Sequence, residues 1–386
     1  MNTNNKKRIG VDARFYGPVG KGLGRYTKEI VDNILRMDSE NNYVIFLSPE
    51  NYDLFSTEKE NVKKVLVKSR WYSWSEQIIF PWQIRKEKLD LMHFTHFNVP
   101  ILSAVKFIVT IHDLILTKFP IQRASLLPPL YYKIKYLAYK FVISMAVSRS
   151  KKIIAVSEFT KKDIEKEFKV KKDKIRVIYE GVSDLVLNEE EDRESDKKVL
   201  KKYNIGDTRY LLYVGNAYPH KNLESLLDIF KKIKKDFPSL LLVLVGKEDY
   251  FYKRIKKHAK SLDLSNEDVI FADYVSDKDL ASLYRNALAY VFTSLYEGFG
   301  LPPLEAMAYN CPVVSSNQAS LPEVLGEAAL YFDPYNNIDV YEKLNKIIKN
   351  KHLRRELVEK GKTQITDYHW FASAHSTYKL YLEVLK

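Results

Sequence analysis

The chain moves from a polar start into a short β-branched run, Arg8–Asp12, and this switch of pattern recurs along its length. Apolar runs with little alternation stand at Tyr43–Leu47, Phe107–Ile111, Ile153–Val156 and Ile175–Ile178. Runs of this kind predict strands buried on both faces, as in a parallel sheet covered by helices. Tyr26, Ile30 and Ile34 share one face of a helix predicted over Tyr26–Arg36, and Leu130–Ser148 predicts a long helix. Residues 189–198, EEEDRESDKK, carry charge without apolar periodicity and predict a solvated linker. The alternation then restarts, with strands at Tyr210–Val214, Leu240–Val245, Val269–Phe271, Tyr290–Phe292 and Pro312–Ser315. Helices are predicted around Leu223–Asp236, Tyr252–Ala259, Lys278–Ala287, Leu304–Ala308, Val340–Lys349, His352–Lys360 and Trp370–Leu385. Two βαβ series joined by a linker predict an α/β protein of two Rossmann-like domains facing a central cleft. The expected boundaries are 1–188, a linker at 189–198, 199–365, and a C-terminal helix within 366–386.

Composition narrows the classes. A chain of 386 residues, 46% hydrophobic and 29% charged, is long enough for two cores and is not a disordered chain. One cysteine, Cys311, excludes a disulfide framework and a multi-cysteine metal site, and its setting in NCPVV predicts a buried thiol. No apolar run approaches the ~18 residues of a membrane span, and the polar N-terminus lacks an apolar secretory segment, so a cytoplasmic location is expected. The charge is lopsided. Residues 1–184 hold 33 Lys+Arg against 20 Asp+Glu, whereas residues 185–386 hold 29 of each. The excess suggests an anionic partner for the first half, namely nucleic acid, a membrane surface or a phosphorylated acceptor. A lysine-rich composition under solubility pressure gives the same arithmetic.

Three glycine-bearing segments carry candidate chemistry. The loop GPVGKGLGR at 17–25 follows the first strand and leads into a helix, where glycines admit close approach and free N–H groups meet an anion. It matches neither a dinucleotide fingerprint nor a P-loop. LYVGNAYPHKNL at 212–223 places Lys221 at a helix start, a position unfavourable for a cation unless both face a common anion such as a diphosphate. SLYEGFGLPPLEAMA at 294–308 puts Glu297 in a loop and Glu305 early in a helix opened by two prolines. Two carboxylates beside exposed backbone N–H groups can divide the hydroxyls of a ribose and of a sugar ring while the backbone holds phosphate. His112 follows the strand Phe107–Ile111, at the strand end that faces a ligand crevice. His93 and His96 lack acidic or thiol company and read as packing. Asp277 and Asp279 read as capping of the helix after Ser276 rather than as metal ligands.

Together these segments resemble the family 4 glycosyltransferases, retaining enzymes of the GT-B fold. The resemblance rests on GLGRYTKEI at 22–30, IHDL at 111–114, AVSEFTKKDI at 155–164 and YVGNAYPHKN at 213–222. It rests also on YEGFGLPPLEAMA, which spaces Glu297 and Glu305 as E-x7-E, and on SLPEVLGEAALYFDP at 320–334. Within the family the likeness is to bacterial mannosyltransferase-type enzymes of O-antigen and capsule assembly. It implies an acceptor-binding N-terminal domain, a donor-binding C-terminal domain, and a last helix that crosses back onto the first domain. By position, Glu305 is implied at the ribose, Glu297 at the donor sugar with Phe299, Gly300 and Leu301 beside it, and Lys221 at the diphosphate. His112 is implied beside the transferred sugar and Gly22 near the donor phosphates. Gly215, Asn216 and His220 would complete the donor loop and Val275 the base pocket. Asn216 and His220 depart from the arginines that many relatives carry.

The implied reaction moves a hexose, with mannose from GDP-mannose the first choice, to a glycan or polyprenyl-diphosphate-linked acceptor with retention of configuration. Neither a cofactor nor a metal is expected, and nucleic acid is not among the implied partners. Rival readings are a sugar-nucleotide epimerase of the same fold and a non-catalytic sugar-nucleotide-binding protein. Lys133, Lys135 and Lys140, interleaved with tyrosines in a stretch without acidic residues, form an expected acceptor and membrane face.

Overall fold

The computed structural model describes residues 6–119, 129–182 and 193–386, and within these the side chains of Val19, Lys21, Pro129 and Tyr131 lie outside the description. The chain divides into two compact units, Met1–Gly181 with Trp370–Lys386, and Val182–His369.

The first unit is built on seven parallel strands. They are β1 (Arg8–Asp12), β2 (Asn42–Leu47), β3 (Val62–Leu66), β4 (Leu91–Phe94), β5 (Phe107–Ile111), β6 (Lys152–Ala155) and β7 (Ile175–Val177). Their order is β3-β2-β1-β4-β5-β6-β7, so the winding reverses between β1 and β4, where Ile9 pairs with Tyr43 on one side and Leu91 on the other. At such a reversal the loops after neighbouring strands diverge and leave a crevice at the carboxyl ends. One face of the sheet is covered by α2 (Trp74–Lys86), α4 (Pro129–Arg149) and α5 (Glu158–Phe168), with the short α3 (Ile115–Lys118) between β5 and α4. Phe80, Ile84, Ile143, Ala146, Val147 and Ile164 from these helices share one core with Val44, Met92, Val109 and Ile153 of the strands. Each such fully buried Val, Ile, Met or Phe side chain contributes about 1.5–3 kcal/mol.

Elsewhere in this unit α1 (Lys21–Met37) packs along the last helix, α14 (Trp370–Leu385). Trp370 meets Tyr26 edge-on at 6.0 Å, and the Tyr381 hydroxyl lies 2.6 Å from His93 Nδ1. The other nitrogen of His93 reaches Thr110 at 2.9 Å, so this buried histidine is consumed by packing.

In the second unit the strands are β8 (Tyr210–Val214), β9 (Leu241–Val245), β10 (Val269–Asp273), β11 (Ala289–Phe292), β12 (Val313–Ser316) and β13 (Ala329–Phe332). The order β10-β9-β8-β11-β12-β13 again reverses, here between β8 and β11. Both units are therefore doubly wound Rossmann-like sheets. The helices in chain order are α6 (Arg193–Lys202), α7 (Leu223–Asp236), α8 (Tyr250–Ser261), α9 (Asp277–Asn286), α10 (Leu301–Ala308), α11 (Leu321–Leu325), α12 (Asn337–Lys349) and α13 (Lys351–Gln364).

Two expectations need correction. Of the linker, 189–192 lie outside the described residues, but 193–198 form the start of α6. Its anchor is ionic rather than apolar: buried Asp196 takes Arg285 Nη2 at 2.8 Å and Asn286 Nδ2 at 2.9 Å, and apolar burial begins only at Val199 and Leu200. A search for apolar periodicity cannot find such a helix. The loop drawn over 17–25 also ends early, because α1 starts at Lys21 and includes Gly22 and Gly24. The Gly17 N–H donates to the Gly24 carbonyl at 3.1 Å. A Cβ on Gly24 would lie 1.9 Å from the Gly17 oxygen, whereas one on Gly22 would meet open space. Gly24 is thus a contact glycine of a helix, not a hinge, and Gly22 is exposed on the first turn.

Candidate active site

The candidate residues divide between the two units, and each group is built by its own unit. In the second unit, β8 ends at the switch point and Gly215 follows at φ +154°, where a Cβ would come 2.8 Å from the Tyr213 hydroxyl. The chain then makes a 3-10 turn, Pro219–Lys221, and Asn222 at φ +60° leads into α7. On the other side of the switch point β11 runs into residues 293–300. Two hydrogen bonds join these loops: Leu295 N–H donates to the His220 carbonyl and the Thr293 hydroxyl to the Lys221 carbonyl, both at 2.7 Å. The Ser320 hydroxyl holds the second loop from behind, on the carbonyls of Glu297 at 3.0 Å and Phe299 at 2.8 Å.

The result is an ion pair. Lys221 Nζ lies 2.5 Å from Glu297 Oε1, with the two side chains 12% and 11% exposed, and the ammonium stands 5.3 Å from the centre of the Phe292 ring. The cation that is unfavourable at a helix start is thus matched here by a carboxylate of the chain itself. Gly300 precedes α10 at φ +106°, a conformation that side chains rarely adopt, and its Cβ would collide with Leu321 at 2.8 Å. Prolines at 302 and 303 have no N–H, so Gly300 and Leu301 supply the donors of the helix entry. Glu305 is half-buried on the second turn of α10.

Asn216 and His220 serve the loop. The Asn216 carbonyl accepts from the Tyr213 hydroxyl at 2.7 Å. The His220 side chain is buried, and burial, reinforced by the Lys221 charge, pushes it down to about 4 against the pull of Glu297. This position therefore offers an anion no charge at neutral pH, and Lys221 stands as the cation of the turn. Val275 is buried beyond the carboxyl end of β10, the strand farthest from the switch point on its side, while its neighbour Tyr274 is exposed. Ser276 accepts from Asp279 N–H at 3.2 Å and caps α9, and the Asp279 carboxylate takes Lys202 at 2.6 Å and Tyr203 at 3.0 Å. Among the described residues no three of His, Cys, Asp and Glu gather as a metal-binding group. Cys311 is buried, and burial pushes its thiol up.

The lowered histidines set a pH dependence. His220 titrates near 4 and His93 near 3 when folded, both below the usual 6.5, and burial is the first cause for each. An unfolded chain then binds more protons throughout that window, so stability is full above pH 6.5 and falls as pH drops toward 4 and below. Each histidine contributes a slope of about 1.4 kcal/mol per pH unit. Denaturant unfolding between pH 6 and 4.5 is expected to show this slope, reduced by one such increment in His220→Gln. An unchanged slope in that variant would rule His220 out as its source.

In the first unit, His112 follows β5 and is clasped from three sides. Its Nε2 lies 3.0 Å from the Thr95 carbonyl after β4, and its Nδ1 lies 2.9 Å from Glu180 Oε1 after β7. Tyr26 of α1 packs edge-on against the ring at 4.6 Å. The Thr95 hydroxyl ties this group to β1 through the Asp12 carbonyl at 2.7 Å. A carbonyl only accepts, so Nε2 carries a hydrogen, and the Nδ1···Oε1 contact holds a second proton, on the imidazole or on the carboxyl group. Thr95 and Glu180 were not singled out in the sequence. Both follow strands, as His112 does, and the strand-end rule applied throughout would have found them. His96, read as packing, stacks near His112 at 6.5 Å among Phe15, Tyr72 and Phe97.

The basic stretch of α4 is partly engaged within the first unit. Tyr139 packs on Phe97 at 5.1 Å and its hydroxyl meets Thr117 at 2.9 Å, while Lys140 pairs with Glu167 at 3.3 Å. Lys133 and Lys135 are exposed, and Tyr131 lies outside the description. Among the described residues no helix is long and apolar enough to cross a membrane.

Two family profiles match the chain: glycosyltransferase family 4 over residues 20–184 and glycosyl transferases group 1 over residues 192–364. The chain is 32% identical to the O-antigen chain mannosyltransferase RfbU of Salmonella typhimurium, over 68% of this chain and 66% of that protein. It is 27% identical to the O-antigen chain mannosyltransferase B of Escherichia coli, over 75% of this chain and 73% of that protein. The crystal structure of Anabaena Alr3699/HepE in complex with UDP-glucose has the same fold, with a TM-score of 0.75 at 14% identity, over 98% of this chain and 99% of the other.

Proposed function

Because this chain belongs to the family 4 glycosyltransferases, we propose that it moves mannose from GDP-mannose to a hydroxyl of a glycan acceptor, with retention at the anomeric carbon. The observation that carries the reading is the Lys221–Glu297 pair, held at the switch point of the second unit. A nucleoside diphosphate sugar offers each member a better partner. The diphosphate takes the ammonium, and the released carboxylate accepts from sugar hydroxyls. Glu305 would bind the ribose, with Gly300 and Leu301 N–H groups on phosphate. The C1–O bond to the diphosphate breaks as the acceptor oxygen bonds to C1 from the same face. The acceptor proton passes to the departing phosphate oxygen. Lys221 stabilises the charge that develops there, and orientation supplies much of the rest.

The same charge reasoning makes a metal unnecessary, because the ammonium and the backbone N–H groups meet the diphosphate. The O-antigen chain mannosyltransferases to which the chain is similar support a mannosyl donor. The acceptor in this reading is a cell-surface glycan carried on a polyprenyl diphosphate at the cytoplasmic side of the membrane. The test is a panel of nucleotide sugars with and without acceptor glycan. Release of GDP from GDP-mannose should require acceptor, persist in EDTA and keep the anomeric configuration. Release from another nucleotide sugar alone would overturn the donor, and activity lost on chelation and restored by Mn²⁺ would overturn the metal-free reading.

A further inference from the structure

Helices α2 and α4 are apolar on two sides. Their inner sides, Phe80 and Ile84 of α2 and Ile143, Ala146 and Val147 of α4, lie in the core of the first unit. On α2, Trp74, Ile78 and Trp82 recur every four residues and are 56–87% exposed. On α4, Leu130, Ile134, Leu137 and Phe141 form a second stripe, 56–72% exposed. A core position and a solvent position on one helix do not both need to be apolar, and seven large exposed side chains at helical spacing exceed a random scatter of surface residues. The two helices cover the same face of the sheet and are bridged by one loop. Gln77 of α2 accepts from the Ile101 N–H at 2.8 Å, and Arg149 of α4 donates to the Ser103 carbonyl at 2.5 Å. Leu102, between those two anchors, is exposed as well.

Charge selects the occupant. α4 carries Lys133, Lys135, Lys140 and Arg149 and no acidic residue. Lys140 pairs with Glu167 of α5 at 3.3 Å and Arg149 is held by loop carbonyls, whereas Lys133 and Lys135 are exposed. α2 ends in the exposed Arg85 and Lys86. Its one acidic residue, Glu76, is buried against Arg14 at 2.6 Å. Lys86 Nζ lies 3.3 Å from the centre of the Trp82 ring, so a cation caps the aromatic end of the stripe. A second copy of this chain would bring like charges together across such a face. An anionic bilayer supplies apolar depth for the stripes and phosphate for the lysines, and tryptophans suit its headgroup region.

We infer that the outer faces of α2 and α4 together form a docking surface for anionic phospholipid membranes, with Trp74, Ile78 and Trp82 entering the interface beside the α4 stripe. This deepens the reading of a membrane-borne acceptor and rests on that part of it alone. The test uses the full chain with vesicles containing about 30% phosphatidylglycerol in phosphatidylethanolamine, and with phosphatidylcholine vesicles as the neutral control. The chain should co-sediment with the anionic vesicles, and its tryptophan emission should shift to the blue. Salt should weaken the binding. Trp74→Ala/Trp82→Ala and, separately, Lys133→Glu/Lys135→Glu should each weaken it about tenfold or more with unchanged unfolding midpoints. Four results would overturn the inference: no binding at low salt, equal binding to neutral vesicles, variants that bind like wild type, or self-association abolished by the tryptophan variant. In each case acceptor-dependent GDP release from a soluble glycan would still report on the transferase reading by itself.

Discussion

Lys221→Met is expected to slow turnover by about 10²- to 10³-fold, the scale of losing one preorganised charge at a leaving group. It should also destabilise the protein by about 3 kcal/mol, because Glu297, only 11% exposed, is left without its partner. Glu297→Gln leaves the ammonium instead and should cost a similar amount of stability. The double variant removes both charges and should recover most of the stability while remaining as slow as the singles. Denaturant unfolding measures the first quantity and steady-state nucleotide release the second. The pattern follows from the geometry: a 2.5 Å pair fixed by two loop-to-loop hydrogen bonds must open before either member reaches a donor. Additive stability losses would show that the side chains act separately. A wild-type rate in either single variant would remove the pair from the chemistry.

Glu180→Ala is expected to lower turnover by about 10- to 100-fold, the worth of a charge-assisted hydrogen bond of about 1.5–3 kcal/mol. In the proposed reaction Glu180 would act through His112, as a positioning residue. Its carboxylate and the Thr95 carbonyl hold the ring from opposite nitrogens. Glu180→Gln separates orientation from charge. The amide can donate to an unprotonated Nδ1, so the ring keeps its place while the shared proton is lost. That variant should retain the donor KM of wild type, with a lower kcat and an altered pH profile. Imidazole nitrogen NMR should find Nε2 protonated in both proteins. A Glu180→Gln enzyme with the wild-type pH profile would show that the pair shares no functional proton.

Legibility in the sequence followed burial. Strands such as Phe107–Ile111 and Leu241–Val245 are buried throughout, and their unbroken apolar runs announce them. β3 reads VKKVL at the sheet edge, with a side chain exposed, and was not distinguishable from loop. β4 and β13 are only four residues long. The start of α1 was misplaced because glycine is the residue of turns and equally of close contacts, and only the 1.9 Å clearance at Gly24 tells which applies.

The candidate site divides in the same way. Glu297, Glu305, Lys221 and His112 stood out because each follows a strand or opens a helix, and chain-local signals of that kind survive in one dimension. That Lys221 and Glu297 touch across 76 residues does not, nor does the joining of His112 to Glu180 across 68. Such pairings depend on which strands are neighbours, and strand order is set by non-local burial rather than by local propensity. The same holds for the outer stripes of α2 and α4. By itself the sequence determined two doubly wound α/β series, their glycine-bearing strand ends and an excess of positive charge in the first half. Only the tertiary structure decided which apolar side of a helix is buried and which is left to solvent, because periodicity reports that a face is apolar and not what covers it.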